Sequence, residues 1–505
     1  MDIFFKNMIK DYFRELFLQN FGHIPTSDQI EAIDDLCHFI LEPEADSVFI
    51  LRGFAGTGKT SLVSALVKTM QQLGRDCELM APTGRAAKVL SLYANHTAYT
   101  IHKRIYRQKS IDKDSLFTLN FNMRTNLLFI CDEASMISND EYQGSSIYGT
   151  GRLLDDMIHF IYGGKGCRLI LMGDTAQLPP VGEGESPALQ DDELRCFGMD
   201  VVSHTLKKVV RQAESSGILW NATHLRQLMD TEDIFSLPRL RFSGFADIKI
   251  IQGNELIDAI EQCYHNDGED DTIIVTRSNK RAIIYNNGIR GHILWREEAM
   301  EGGDMMMVAK NNYYWTERMN AELLANACAE GKKPEDTDSV PFDFIANGDT
   351  IIIRRIRNER CLYGFTFADA EVEFPDYDHF TMQLTVLTDT LQSEAPALTR
   401  EQQEQLYDKI MEDYSYDPAL RSKSDRLKAL KQDPYYNALQ IKYAYAITCH
   451  KAQGGQWSNV FIDQGYMTEE MLGPDYFRWL YTAITRATKR VYMVNWKEEQ
   501  TLNDT

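Results

Sequence analysis

Apolar runs of strand length recur along the chain, each followed by a stretch with apolar residues at helical spacing, the pattern of parallel α/β architecture. "SVFILRG" (47–53), "ELMAPT" (78–83), "LLFICDE" (127–133) and "RLILMGD" (168–174) fall in the first part of the chain. "TIIVTRS" (272–278), "NVFIDQG" (459–465) and "RVYMVNW" (490–496) fall later, so two sheets are expected rather than one. Roughly 180 residues separate "TIIVTRS" from "NVFIDQG", too many for a loop, and they imply an inserted domain. Within it, "DFIANGDTIIIRRI" (343–356) and "FTMQLTVLTD" (380–389) alternate like strands of a small barrel. "TREQQEQLYDKIMEDYSYD" (399–417) and "SDRLKALKQD" (424–433) carry helical patterns. No solenoid repeat and no low-complexity tract interrupts this order.

Composition sharpens the picture modestly. A chain of 505 residues with 44% apolar content is long enough for two to four domains, each with its own core. The nine cysteines are scattered, with no Cys-x-x-Cys pair and no His cluster at zinc spacing, which fits a reduced, cytoplasmic chain. The start, "MDIFFKNMIKDYFRELFLQNFG", mixes charges into its apolar positions, unlike a secretion signal, and no run reaches membrane-spanning length.

The formal charge of −21 argues against indiscriminate binding to a polyanion. Basic clusters at "HKRIYRQK" (102–109), "LKKVVRQ" (206–212), "RRIRNER" (354–360) and "RATKR" (486–490) are separated by acidic stretches. Each alone reads as a solvated face; position relative to other motifs decides whether it is more.

The chemistry begins at "GFAGTGKTS" (53–61), between a strand pattern and a helix pattern, the context a phosphate-binding loop needs. Gly56 and Gly58 let the backbone wrap phosphate oxygens, and the following helix start adds free N–H groups. Gly53, Ala55, Gly56, Thr57, Gly58, Lys59, Thr60 and Ser61 are therefore the nucleotide-binding candidates, with Lys59 reaching the β- and γ-phosphates and Thr60 a ligand of Mg²⁺. A second metal position is expected at the end of a neighbouring strand, and "LLFICDEAS" supplies it. Asp132 would hold Mg²⁺ and Glu133 would accept a proton from the attacking water. A guanine-reading Asn-Lys-x-Asp is missing: the nearest candidate, "NKRA" (279–282), lacks the aspartate.

"DEAS", then "GDTAQLPPV" (173–181), "HKAQG" (450–454) and "YTAITRA" (481–487), resemble in order and spacing the motifs of superfamily 1 helicases. "APTGRAAK" (81–88), "TIHK" (100–103) and "VRQAESSGI" (210–218) resemble the branch that contains RecD, the phage Dda helicase and the petite integration frequency helicases. The resemblance covers residues from about 26 to 495 and is weakest in the inserted region. It implies two tandem RecA-like P-loop domains with a β-hairpin pin and an inserted Src-homology-3-like barrel plus a helical segment. The expected boundaries are 1–195 for the first RecA-like domain, with the pin at about 104–125. Residues 196–340 and 441–505 would form the second domain, and 341–440 the insertion.

The same resemblance implies a 5′-to-3′ translocase on single-stranded DNA that opens forked duplex, a monomer using ATP and Mg²⁺. By it, Gln29 in "TSDQIEAI" reads adenine, an amide offering both donor and acceptor. Gln177 senses the γ-phosphate, while Arg211 and Arg486 reach that phosphate from the second half of the chain as fingers in cis. Gln453 and Gly454 join the ATP site. Strand contacts fall to Thr83, Thr100, His102, Thr448 and His450, small polar groups that bind phosphates without adding large charge. Phe117 or Phe121 in the pin would stack on a base. One departure is Ala452, where relatives often carry serine, which removes a hydroxyl from the DNA or coupling face. Two other functions fit part of the pattern: a nucleotide-switched single-strand clamp or remodeller without processive unwinding, and a P-loop module with a purely structural role.

Overall fold

The computed structural model describes residues 2–41, 46–108, 117–140, 149–209, 215–231, 233–330, 339–342 and 344–502. Eight strands lie in the first part of the chain. They are β1 (Ser47–Gly53), β2 (Cys77–Ala81), β3 (Ala98–Thr100), β4 (Tyr106–Gln108), β5 (Phe117–Leu119), β6 (Leu128–Cys131), β7 (Arg168–Gly173) and β8 (Asp200–Leu206). Six of them form one sheet in the order β3-β2-β6-β7-β1-β8, and all its pairings are parallel. Its central strands are continuous apolar runs because helices cover both faces. β8 pairs with β1 from Ser47↔Asp200 to Gly53↔Leu206, so the first sheet extends past the expected boundary at 195.

The second sheet is also parallel and runs in the order β16-β10-β17-β18-β9. It uses β9 (Ile248–Ile251), β10 (Thr272–Thr276), β16 (Ala446–Thr448), β17 (Trp457–Asp463) and β18 (Ala487–Val494). Between β10 and β16 the chain leaves to build a closed barrel. Its strands are β11 (Met305–Val308), β12 (Thr350–Leu362), β13 (Phe365–Phe374), β14 (Phe380–Leu387) and β15 (Leu439–Tyr443). The barrel is thus the inserted domain, but it opens with β11, before the expected start at 341. β11 pairs with both β12 and β15 and so closes the ring.

Helices Arg400–Ser415 and Lys423–Lys431 follow the fourth barrel strand, as their patterns predict. Thr399 and Gln402 form a reciprocal capping box at the first, Ser422 and Asp425 at the second. Their apolar faces, Leu406, Ile410 and Leu430, pack on Phe365, Phe367 and Leu387 of the barrel.

Within the range of the expected pin, β4 pairs antiparallel with β5, registered Tyr106↔Leu119 to Gln108↔Phe117. Residues 109–116 lie outside the described residues, as does the Phe117 side chain. All nine cysteines are free thiols. Among the described residues no helix is long and apolar enough to cross a membrane.

Candidate nucleotide site between the lobes

Three adjacent parallel strands, β6, β7 and β1, present their carboxyl ends to one crevice. This is where ligands bind in open α/β sheets. β1 ends in the loop 53–58 and continues into helix Lys59–Gln72. Gly58 caps that helix at φ 87° and Gly56 sits at φ 75°, left-handed backbone that only glycine adopts freely. The helix start has no side-chain cap, which leaves its first N–H groups for an anion. The Lys59 ammonium lies inside the loop, donating to the carbonyls of Gly53 and of Phe54, the latter at 3.2 Å.

Gln29 is buried beneath the loop; its Nε2 donates to the Thr57 carbonyl at 2.9 Å and its Oε1 accepts from the Thr26 amide at 2.9 Å. The amide that the resemblance assigns to adenine therefore also braces the phosphate loop. A Cβ on Gly58 would lie 2.6 Å from Gln29 Nε2, so the amide would have to leave its place, and the left-handed backbone strains any side chain there.

Past β6, Asp132 accepts from the Glu133 amide at 2.8 Å, and Glu133 is held at φ 52°, a left-handed conformation unusual for a side chain that is not glycine or asparagine. Burial pushes the Asp132 carboxyl up to about 6, and the neighbouring Glu133 adds to this. The Glu133 amide, Lys59 and Arg486 oppose the rise. Lys59 and Arg486 thus act on one carboxyl from opposite lobes. Arg486 is 4% exposed, anchored by the Thr482 and Gly455 carbonyls at 3.1 and 3.3 Å, and its Nη1 stands 3.8 Å from Glu133 Oε1.

Asp174 follows β7, and the turn beyond it carries Gln177, whose buried Oε1 has no hydrogen-bond partner. A buried unpaired acceptor is costly unless a donor arrives. The second lobe grips the same turn. Thr482 Oγ1 accepts from the Leu178 amide at 3.0 Å, and Gln453 Nε2 donates to the Leu178 carbonyl at 2.7 Å. Tyr481 Oη accepts from the Ala55 amide at 2.8 Å and donates to Asp174 Oδ2 at 2.6 Å. Asp174, Tyr481 and Thr482 lie inside quoted motifs, yet sequence reasoning assigned them no role; only the fold brings them together.

Gly454 packs on the first lobe beside Thr83 and Ala86, where a Cβ would meet Ala86 at 2.9 Å. The Gln453–Gly454 pair therefore contacts the Leu178 turn and the Thr83 helix. Second-lobe packing also reaches the phosphate loop through Arg226, whose guanidinium lies 4.2 Å over the Phe54 ring. Arg211 lies outside the described residues.

Of the strand candidates, Thr83 and Thr100 cap helices, accepting from the Ala86 and Lys103 amides at 3.2 Å each. Thr448 precedes a short helix without capping it through its side chain. His450 is exposed, whereas His102 is half-buried against the Tyr106 ring, and burial pulls its imidazole down to about 4, so it is neutral. Phe121 is 71% exposed, with the Arg107 guanidinium 4.7 Å over its ring.

The donor set fits Mg²⁺. A threonine hydroxyl at a helix start and one carboxylate match an ion that keeps waters and substrate phosphates as its other ligands. No group of three or more His, Cys, Asp or Glu stands together among the described residues, so a metal cage made by protein alone is not built here.

The fold and the crevice define a P-loop ATPase of two RecA-like lobes. Residues 26–234 match the family model of an AAA domain and residues 443–494 that of a UvrD-like helicase C-terminal domain. The ATP-dependent RecD2 DNA helicase of Deinococcus radiodurans is 31% identical over 136 residues, which span 27% of this chain and 16% of that protein. Protein R530 of Acanthamoeba polyphaga mimivirus is 24% identical, covering 92% of this chain and 98% of its own length. The structure of a Bacteroides Pif1 helicase with ADP-AlF3 and single-stranded DNA aligns over 96% of this chain and 95% of that one, at 15% identity and a TM-score of 0.44. The two matched models lie in this order on either side of one crevice, and in both the chain is similar to helicases of superfamily 1.

Proposed function

We propose that the protein hydrolyses ATP to move 5′ to 3′ along single-stranded DNA and to open forked duplex, acting as a monomer whose two lobes close and reopen with each nucleotide. The observation that carries this reading is the approach of Arg486, from the second lobe, to within 3.8 Å of Glu133 on the first, beside the Lys59 loop. A group needed for transition-state charge is supplied only when the lobes are closed, so hydrolysis and lobe motion are linked.

In this reading the loop amides and Lys59 hold the phosphates, and Gln29 meets the adenine edge with its remaining donor and acceptor capacity. Thr60 and Asp132 would hold Mg²⁺, which when bound neutralises charge on the β- and γ-phosphate oxygens. Glu133 takes the proton of the attacking water as the new P–O bond forms and the β,γ-bridge breaks; Gln177 orients that water. Arg486, with Arg211, stabilises the charge that develops on the transferred phosphoryl group. Release reaches the strand through the Leu178 turn, which Thr482 and Gln453 hold from the other lobe.

Thr83 and Thr100 use their hydroxyl oxygens as helix caps and retain an O–H donor for a backbone phosphate. Thr448, His102 and His450 extend this contact line, and Phe121, with Phe117, offers a ring to a base at the fork. Separating one DNA step requires on average about 1.4 kcal/mol in stacking, within reach of a nucleotide-driven advance.

The test is ATP hydrolysis with and without short single-stranded DNA and RNA, followed by strand separation on 5′- and 3′-tailed duplexes with a trapping oligonucleotide. The reading expects hydrolysis stimulated by DNA and opening of 5′-tailed substrates. Opening of 3′-tailed substrates alone would reverse the polarity. Stimulated hydrolysis without strand separation would leave a nucleotide-switched clamp.

A further inference from the structure

Tyr481 is delivered by helix Pro474–Ile484 of the second lobe, yet both bonds of its hydroxyl are made in the first. It is 1% exposed. The O–H donates to Asp174 just past β7, and an oxygen lone pair accepts from Ala55 in the phosphate loop, so one oxygen ties together two strand ends that flank the crevice. Phe54 and Ala55 also pack on the second lobe's apolar core. Five residues further on, the same segment presents Arg486 to Glu133.

Opening the lobes withdraws the hydroxyl and leaves two groups without it: a loop amide beside the phosphates and a carboxylate whose charge is felt by Lys59. Burying either group unpaired is unfavourable, so the closed state depends on this oxygen.

We propose that Tyr481 is a positioning residue whose hydroxyl, held between Ala55 and Asp174, sets the phosphate loop into its reactive geometry only when the lobes close. The proposal rests on the crevice being the ATP site described above. Tyr481 touches no reacting atom; it acts through the loop amide and through Asp174, which in turn fixes the surroundings of Lys59.

Tyr481→Phe keeps the ring and its packing and deletes only the oxygen. Ala55→Pro deletes the amide hydrogen from the other side, and it serves as the second route should the phenylalanine variant fold poorly. Two measurements are made on the full chain. One is the kcat and KM of DNA-stimulated ATP hydrolysis. The other is lobe closure, followed by energy transfer between a dye on each lobe as ADP with aluminium fluoride is added.

In each variant kcat falls at least tenfold, the factor expected when buried polar groups lose their partner, while in Tyr481→Phe, which leaves the loop amides intact, KM for ATP changes less than threefold. The nucleotide concentration for half-closure rises at least tenfold. The two substitutions combined do less than the product of their separate effects, because they cut one contact from its two ends.

Closure and kcat within twofold of wild type in Tyr481→Phe overturn the proposal and leave the motor reading intact. A wild type with no DNA-stimulated hydrolysis, in which closure still weakens tenfold on loss of the hydroxyl, removes the motor reading and keeps the proposal. A rise in KM with kcat unchanged also overturns it, since the residue would then serve binding alone.

Discussion

The first lobe meets its neighbours across two seams of different chemistry. Toward the second lobe, around the phosphate loop, three contacts pair neutral side chains with the backbone, Tyr481 with Ala55 and both Thr482 and Gln453 with Leu178, beside the Tyr481–Asp174 bond and the Arg486–Glu133 pair. Toward the barrel, helix Gly84–Ala94 leans on charged groups. Lys88 Nζ lies 3.0 Å from both the Pro375 carbonyl and Asp376 Oδ1, and Gly84 sits directly against the Asp349 carboxyl. Neutral bonds to backbone are short-ranged and are lost together when the surfaces part, which suits the seam that the proposed motor would open. The ion pair and buried acid at the barrel seam respond instead to pH and salt. Each substitution below asks to which of the two seams a residue belongs.

The largest effect is expected at Arg486. Replacing an arginine finger lowers turnover by about 10³-fold or more, so on the proposed finger role Arg486→Ala should show a kcat reduced to that extent while a fluorescent ATP analogue binds within a few-fold of wild type. Loss of less than tenfold would mean that the guanidinium merely pairs with Glu133 in this closed arrangement and leaves the phosphoryl group to other donors.

The phosphate loop and the Asp132–Glu133 pair are legible in the sequence because strand, turn and helix lie within one short stretch. Their chemistry is local. The contact between Asp174 and Tyr481 joins residues 307 positions apart, and no periodicity records such a meeting. β8, "DVVSHTL", escapes a sequence reading because it is an edge strand with only Leu206 fully buried, so its pattern is not an apolar run. β11, "MMMV", escapes for the opposite reason: a four-residue apolar run with no alternation is indistinguishable from a piece of buried helix. The hairpin and the barrel follow from the motif series, since the alternation of "FTMQLTVLTD" fixes strands but not the closure that β11 provides.

At the barrel seam the next effect in size belongs to Asp349. It is 2% exposed and accepts from the Ala346 amide at 2.8 Å. Burial pushes it from 3.8 up to about 7, against that amide and with the help of Asp376. Its folded-state value lies above its unfolded one, so the folded form binds the extra proton. The ionisation penalty is absent below about pH 4, grows as pH rises toward 7 and is complete above it. A displacement of that size corresponds to about 4 kcal/mol. Asp349→Asn, which still accepts from Ala346, should raise unfolding stability at pH 8 by about 2–4 kcal/mol and change it little at pH 4. A gain equal at both pH values would assign the effect to shape rather than charge.

Gly84→Ala sets two forces against each other. Alanine favours a helix over glycine by about 1 kcal/mol, and Gly84 opens the helix behind the Thr83 cap with no left-handed backbone to forbid it. The added Cβ would stand 2.7 Å from Asp349 Oδ1 and 3.1 Å from the Tyr377 hydroxyl, a short buried side chain with little room to withdraw. Sterics should win, destabilising the chain by about 1–3 kcal/mol with ATP hydrolysis largely retained. In an Asp349→Ala background the same change should become neutral or stabilising, as denaturant titration would show; a loss that persists there would place the clash elsewhere.

Lys88→Ala should do least. The pair with Asp376 is partly exposed, with side chains 37% and 21% accessible, and such pairs contribute less than about 1 kcal/mol. The change should therefore cost under 1 kcal/mol in 0.15 M salt and still less in 1 M salt, where screening has already weakened the pair. Its value lies in contrast with Gly84→Ala, one turn away on the same helix, whose effect is steric and should be indifferent to salt. If Lys88→Ala instead proves as damaging as Gly84→Ala and equally insensitive to salt, the lysine stem rather than its charge holds the barrel, and the second seam is a packing interface like the core around it.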